Sequence, residues 1–239
     1  MKQTTLESFG FKCKSELESE STSDTDDQKV IEYRQPNLCL DLVLHFLDHK
    51  YANRVQEELE TKMCWRNESV ALRYRQRRCR VNQTFGDPGV SYTVRFANGR
   101  QVTRHSTPWS ALPILQEVRD LLMRFTGQAY NYCVVQFYPH GRVGIKPHRD
   151  KEMDPDTIIA GLSLGHERVL AMESDRNGAA AAADGGRSVY VRLPHGSLYL
   201  FRPPTNVYWK HSILLSPTTL GPRWSLTFRL NTKQSPAQV

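Results

Sequence analysis

The sequence has no long hydrophobic run. No window approaches the ~20 apolar residues that cross a bilayer as a helix, and the first residues lack the apolar stretch of a secretory signal. Cysteine is scarce: Cys13, Cys39, Cys64, Cys79 and Cys133 are scattered, with no C-x-x-C pair. That spacing indicates neither a disulfide framework nor a zinc knuckle. The expectation is a reduced intracellular protein with no membrane association. Acidic residues are outnumbered, 25 against 32 Lys and Arg, giving a net charge of +7. An excess of positive charge points to an acidic partner, with nucleic acid first, although a mildly basic soluble protein fits the same figure. Residues 12–29 hold almost nothing to bury and are rich in Ser, Thr, Asp, Glu and Lys, the composition of a disordered linker.

The rest of the chain can fold. Its 239 residues, 39% hydrophobic, suit one domain plus a tail. Apolar residues at helical spacing from Leu38 to Leu59 (Leu42, Val43, Phe46, Leu47, Tyr51, Val55) predict an amphipathic helix. His45, Asp48 and His49 would share its other side; they form either a metal cluster or, as such faces usually are, a solvated surface. A second helix is predicted after Pro108 or Pro113, running to about Phe125, with Leu112, Leu115, Val118, Leu121 and Leu122 inward. Alternation makes Val90–Phe96 a strand. After Gly127 the pattern changes to short segments punctuated by Gly and Pro. Strands are predicted at 130–138, 143–147, 158–164, 168–173, 188–193, 197–201, 209–215 and 223–230, the spacing of a jelly roll or barrel. The alanine-rich stretch 178–186 is a surface connection between two of them.

Chemistry concentrates in this second part. His148 and Asp150 are two apart, so in an extended segment they share a face. With His211 they would make the 2-His-1-carboxylate triad that holds Fe(II) and leaves positions open. H-x-D alone occurs often by chance, and a lone His on an apolar strand is more often a satisfied core residue. The segment Arg223-Trp-Ser-Leu-Thr-Phe-Arg229 adds a second signal. Alternation puts Arg223, Ser225, Thr227 and Arg229 on one face, with Trp224, Leu226 and Phe228 on the other. The arginine face must meet solvent, as on an edge strand, or an anion inside a barrel. A guanidinium offers a bidentate fork to a carboxylate, so two of them beside Thr227 fit a small dicarboxylate. Upstream, Gln136 and Tyr138 share a face and can hydrogen-bond the same ligand.

With these residues in view, the chain resembles the AlkB family of Fe(II)/2-oxoglutarate dioxygenases, of the DNA-repair type. The likeness runs from about Gly86 to Leu230. It is carried by Gln136-Phe-Tyr138, by Gly141 through His148-Arg-Asp150, by Leu193-Pro-His-Gly-Ser-Leu198 and Pro204-Thr-Asn206, and by Trp209-Lys-His211 and the Arg223–Arg229 strand. The family has Asn where this chain has Gln136, one methylene longer. The resemblance implies an α+β, mostly β fold: a double-stranded β-helix (jelly-roll) core at about 128–231, flanking N-terminal helices, and a nucleotide-recognition lid at about 66–100. The whole domain would span 30–233. It implies Fe(II) on His148, Asp150 and His211, and 2-oxoglutarate on Gln136, Tyr138, Arg223, Thr227 and Arg229, with O2 as co-reactant. The implied reaction is oxidative demethylation of 1-methyladenine and 3-methylcytosine in DNA, releasing succinate, CO2 and formaldehyde.

The resemblance implies that the lid grips DNA through the run Arg66, Arg73, Arg75, Arg77, Arg78 and Arg80, which otherwise reads as a solvated loop. By this likeness Arg77, Arg78 and Arg80 meet phosphates and Leu72 fills the gap left by a flipped base. Tyr92 and Glu152 face the cationic base itself. Rival readings are the same chemistry on RNA or protein, or a non-catalytic nucleic-acid-binding or clamp-binding module of this fold. At the N-terminus, Gln3, Leu6 and Phe9 within 3–11 resemble the one-turn peptide that docks on the PCNA sliding clamp. Gly10 stands where a second aromatic is usual, and Phe11 follows one later. A monomer is expected, nuclear in a eukaryotic cell.

Overall fold

A computed structural model of the chain describes residues 3–5, 29–63, 81–95, 99, 101–151, 153–174, 186–219 and 221–232. In chain order the elements are β1 (Gln3–Thr5), β2 (Lys29–Gln35), β3 (Leu38–Leu44), α1 (His49–Lys62), β4 (Val81–Gly86), β5 (Ser91–Arg95), β6 (Gln101–His105) and β7 (Thr107–Pro108). There follow α2 (Pro113–Thr126), β8 (Tyr132–Tyr138), β9 (Ile145–His148), β10 (Ile159–Gly165), β11 (Arg168–Ser174) and β12 (Ser188–Leu193). The chain continues through β13 (Ser197–Phe201), the short α3 (Thr205–Tyr208), β14 (Trp209–Ile213) and β15 (Arg223–Arg229).

Strands β8 to β15 divide equally between two sheets: β8, β10, β13 and β15 enter one, β9, β11, β12 and β14 the other. The larger has the order β1-β2-β3-β13-β10-β15-β8-β4-β7, the smaller β12-β11-β14-β9. This is the expected jelly-roll core, and each of its eight predicted strands is present. A buried cluster joins the facing sides of the sheets, including Leu40, Leu42, Tyr138, Ile159, Leu170, Met172, Tyr199, Phe201 and Trp209. On the other side of the large sheet, Leu162, Leu164, Leu198, Trp224, Leu226 and Phe228 pack with Val55 and Leu59 of α1 and Leu115, Val118 and Leu122 of α2. The large sheet is thus buried on both faces, with helices outside and the lumen inside. Proline begins α2, where its missing N–H costs nothing, and Gly127 closes it at φ 70.

The helix expected over Leu38–Leu59 is two elements. Pro36–Asn37, with Asn37 at φ 58, turns β2 back into β3, and α1 begins only at His49. Leu38, Leu40 and Leu42 enter the inter-sheet cluster and Val43 the helix-side cluster. A strand buried on both faces reads as a continuous apolar run, which periodicity alone does not separate from a buried helix. Between these leucines Asp41 is buried and pairs with Arg34 at 2.5 Å and Arg202 at 2.6 Å. His45, Asp48 and His49 do not gather as a metal site: His45 sits at φ 52, and Asp48 caps α1 by accepting from Tyr51 N at 2.7 Å.

Of the expected lid, Leu72, Arg77, Arg78 and Arg80 lie outside the described residues, as does Glu152. Val81–Gly86 joins the large sheet beside β8, and β5 and β6 form a separate ribbon in which Tyr92 stands opposite Arg104. Leu6 and Phe9 also lie outside the described residues. Gln3 does not start a helical turn: it is extended in β1, opposite Ile31. No helix among the described residues is long and apolar enough to cross a membrane.

Candidate active site

β15 runs between β10 and β8 in the large sheet. Every one of its residues is buried, so the arginine face meets the lumen and not solvent. Across from it, the small sheet ends in β9 at its edge, next to β14. Register places His211 directly opposite His148, with their ring centroids 4.2 Å apart. Asp150 follows just beyond β9. Its Oδ1 is 3.7 Å from His148 Nε2 and 4.0 Å from His211 Nε2. One ligand atom from each residue lies within 4.8 Å of the others.

The two oxygens of Asp150 have separate duties. Oδ1 faces the histidines, while Oδ2 pairs with Arg229 Nη2 at 2.5 Å. Burial alone would raise the Asp150 pKa, but Arg229, His211 and His148 outweigh it and hold the carboxyl below its ordinary value. Burial likewise pushes His211 down to about 4, so it is a neutral imidazole with a lone pair to offer. Asn206 brackets the Asp150 backbone: its Oδ1 accepts from Asp150 N at 3.0 Å and its Nδ2 donates to Asp150 O at 2.7 Å. His148 is oriented by a 2.9 Å contact between Nδ1 and the Lys146 carbonyl, an arrangement usual for ligating imidazoles. Two imidazoles and one carboxylate around a single point suit Fe(II), a donor set that leaves coordination positions open.

Farther into the lumen, Arg223 is fully buried and no carboxylate among the described residues pairs with it. Its Nε donates to Ser163 Oγ at 2.9 Å and its Nη2 to Ser225 Oγ at 3.4 Å, while Nη1 has no hydrogen-bond partner. Burial lowers the guanidinium pKa, against the pull of Tyr138 and Tyr199. A buried cation with an orphaned donor is costly and fits an anion supplied from outside. Tyr138 lies under Arg223, 5.4 Å from guanidinium carbon to ring centre, and its hydroxyl donates to Gln136 Oε1 at 2.7 Å. The longer Gln136 amide thus still meets the tyrosine on its own strand face. Thr227 is buried opposite Gly161.

The structure therefore gathers His148, Asp150, His211, Gln136, Tyr138, Arg223, Thr227 and Arg229 around one lumen. Several neighbours escaped the sequence reading. Asn206 carried no role, although Pro204-Thr-Asn206 stood among the family-like segments. Ser163 looks like any small strand residue. Arg168 is buried with its guanidinium donating to the carbonyls of His140, Gly141, Val143 and Leu214. It pins the loop after β8 to the end of β14, which no local pattern announces.

Comparison with known proteins agrees with this geometry. The family model of the 2OG-Fe(II) oxygenase superfamily matches residues 40–229. DNA oxidative demethylase ALKBH2 of Mus musculus is 36% identical over 152 residues, 63% of this chain and 61% of that protein. The Homo sapiens ALKBH2 is 36% identical over 155 residues, 63% of this chain and 56% of its own length. The alpha-ketoglutarate-dependent dioxygenase alkB homolog 3 of Homo sapiens is 25% identical over 194 residues, 77% of this chain and 63% of that protein. The aligned region thus spans about three fifths of these curated relatives.

Proposed function

Because this chain belongs to the 2OG-Fe(II) oxygenase superfamily, on its AlkB branch, we propose that it is a DNA oxidative demethylase acting on 1-methyladenine and 3-methylcytosine. The family's reagents are Fe(II), 2-oxoglutarate and O2. The single observation that carries the reading is the juxtaposition of His148, Asp150 and His211 with a buried Arg223 that has no carboxylate partner among the described residues and an unmatched Nη1. His148, Asp150 and His211 would hold the metal. Once bound, iron with 2-oxoglutarate and O2 supplies the oxidation of an N-methyl group, with succinate and CO2 as coproducts and formaldehyde leaving the repaired base.

The protein's part is geometry and electrostatics. Arg229 occupies Asp150 Oδ2 and so leaves Oδ1 for the ion, while Asn206 fixes the backbone that carries it. Arg223 takes the far carboxylate of 2-oxoglutarate. Arg229, tied to Asp150, stands at the metal end. Tyr138, Gln136 and Thr227 complete the lining. The apolar walls of the lumen exclude water from the reacting atoms.

The DNA half of the proposal draws on other features: the +7 charge, the arginine run ending at Arg80, and the names of the ALKBH2 relatives. In this reading Arg77, Arg78 and Arg80 hold phosphates of a duplex, Leu72 replaces the flipped base, and Tyr92 and Glu152 receive it. The enzyme works as a monomer, in the nucleus if the cell is eukaryotic. The deciding measurement is formaldehyde release from methylated oligonucleotides, single- and double-stranded, DNA and RNA. Wild type is expected to release formaldehyde from DNA and His148→Ala none; equal release from both proteins would sink the assignment, and a preference for RNA would move the substrate.

We further propose that Gln3, Leu6 and Phe9 tether the enzyme to the PCNA sliding clamp. A pull-down with purified clamp should recover the full chain and lose it on deletion of residues 1–12. Equal recovery of both would remove the tether.

A further inference from the structure

The lumen holds a second tyrosine near Arg223. Tyr199 on β13 stands directly opposite Gly161 of β10, which stands opposite Thr227 of β15. The adjacent row on the same face is Ser197, Ser163 and Ser225. Arg223 leans into that row through its bonds to Ser163 and Ser225. Successive rows on one sheet face are about 7 Å apart, so the Tyr199 ring and the Arg223 guanidinium are neighbours over the same patch of β10. Tyr199 is near enough to act on the charge of Arg223.

Gly161 makes this possible. A Cβ added there would collide with Cζ, Cε1 and the hydroxyl oxygen of Tyr199. The hydroxyl end of the ring therefore lies over Gly161, leaning from β13 toward β15. Tyr199 is only 5% exposed, and its hydroxyl has no hydrogen-bond partner among the described residues. Arg223 Nη1, buried on the same face, has none either. Leaving a buried donor unmatched is unfavourable, and here one such donor, Arg223 Nη1, shares a sheet face with the unengaged Tyr199 hydroxyl. Their common complement is an anion. From Tyr199 an aromatic series leads toward the metal triad, with ring centres 5.0 Å apart for Tyr199–Phe201 and 5.1 Å for Phe201–His211.

We propose that Tyr199 is a cosubstrate-binding residue, whose hydroxyl donates to the far carboxylate of 2-oxoglutarate beside Arg223 in the space that Gly161 leaves open. This rests on the reading of the lumen as a 2-oxoglutarate site. It makes Gly161 and Tyr199 a matched pair: a side chain at 161 would evict the ring that caps the clamp.

The test is calorimetric titration of 2-oxoglutarate into the Mn(II)-loaded full chain, for wild type, Tyr199→Phe and Arg223→Ala, with Mn(II) affinity measured separately. Tyr199→Phe keeps the ring and removes only the hydroxyl. It is expected to leave Mn(II) binding unchanged and weaken 2-oxoglutarate about tenfold, as loss of one hydrogen bond to a charged group does. Wild-type affinity in Tyr199→Phe alongside weakened binding in Arg223→Ala overturns the role of Tyr199 and leaves the clamp standing. No binding of 2-oxoglutarate by the wild-type protein overturns the clamp, and this inference with it.

Discussion

Arg223→Met is expected to weaken 2-oxoglutarate roughly 30-fold or more, while the protein without cosubstrate stays as stable as wild type or becomes more so. The two effects have one cause. Arg223 is fully buried, with hydrogen bonds to the hydroxyls of Ser163 and Ser225 and with Nη1 unmatched. Before the ligand arrives the charge is a burden on the fold, and an apolar side chain of similar length removes it. With the ligand bound, the same charge faces a carboxylate in a dry site, where removing one partner costs about 2–5 kcal/mol. Melting curves with and without 2-oxoglutarate read both quantities, since a ligand raises the melting temperature only of a protein that binds it. A marked loss of stability in the ligand-free variant, or an undiminished shift with 2-oxoglutarate, would remove Arg223 from the clamp.

Asp150→Ala and His148→Ala are both expected to abolish metal binding, yet to differ sharply in stability. His148 lies on the edge strand β9 with its side chain 33% exposed, so its loss should stay within about 1 kcal/mol. Asp150 is buried against Arg229. Deleting it strands a buried guanidinium, a change of about 3–5 kcal/mol, or roughly 6–20 °C in melting temperature for a chain of this size. Adding Arg229→Met to Asp150→Ala should restore much of that stability without restoring metal. Equal melting of the two single variants would mean that the pair does not hold the site together. The pH dependence has a definite sign. Because the folded Asp150 pKa is depressed, its contribution is fully present above the ordinary carboxylate value and is lost only as pH falls through the lower, folded one.

Much of this was legible along the chain. The eight core strands, α2, and the alternation that puts Arg223, Thr227 and Arg229 on one face all follow from period-2 and period-3.6 patterns, which are local. So does the shared face of His148 and Asp150. Where local pattern and environment parted, the reading failed. Leu38–Leu44 mimics a helix because β3 is buried on both sides and has no polar face to reveal its period. Val81–Gly86, read as part of a lid, became a sheet strand through its pairing with β8, a partner some fifty residues later.

The sequence by itself determined which residues were able to hold a metal and a dicarboxylate, because ligand type and strand period are properties of short segments. Only the tertiary structure decided that Arg223 and Arg229 look into a lumen and not into water, since that depends on a second sheet closing over β15. It alone divided the oxygens of Asp150 between the histidines and Arg229, set the Asn206 bracket behind them, and laid Tyr199 across Gly161. Each of these joins segments far apart in sequence, and such meetings are fixed by sheet register and packing, which no local pattern records.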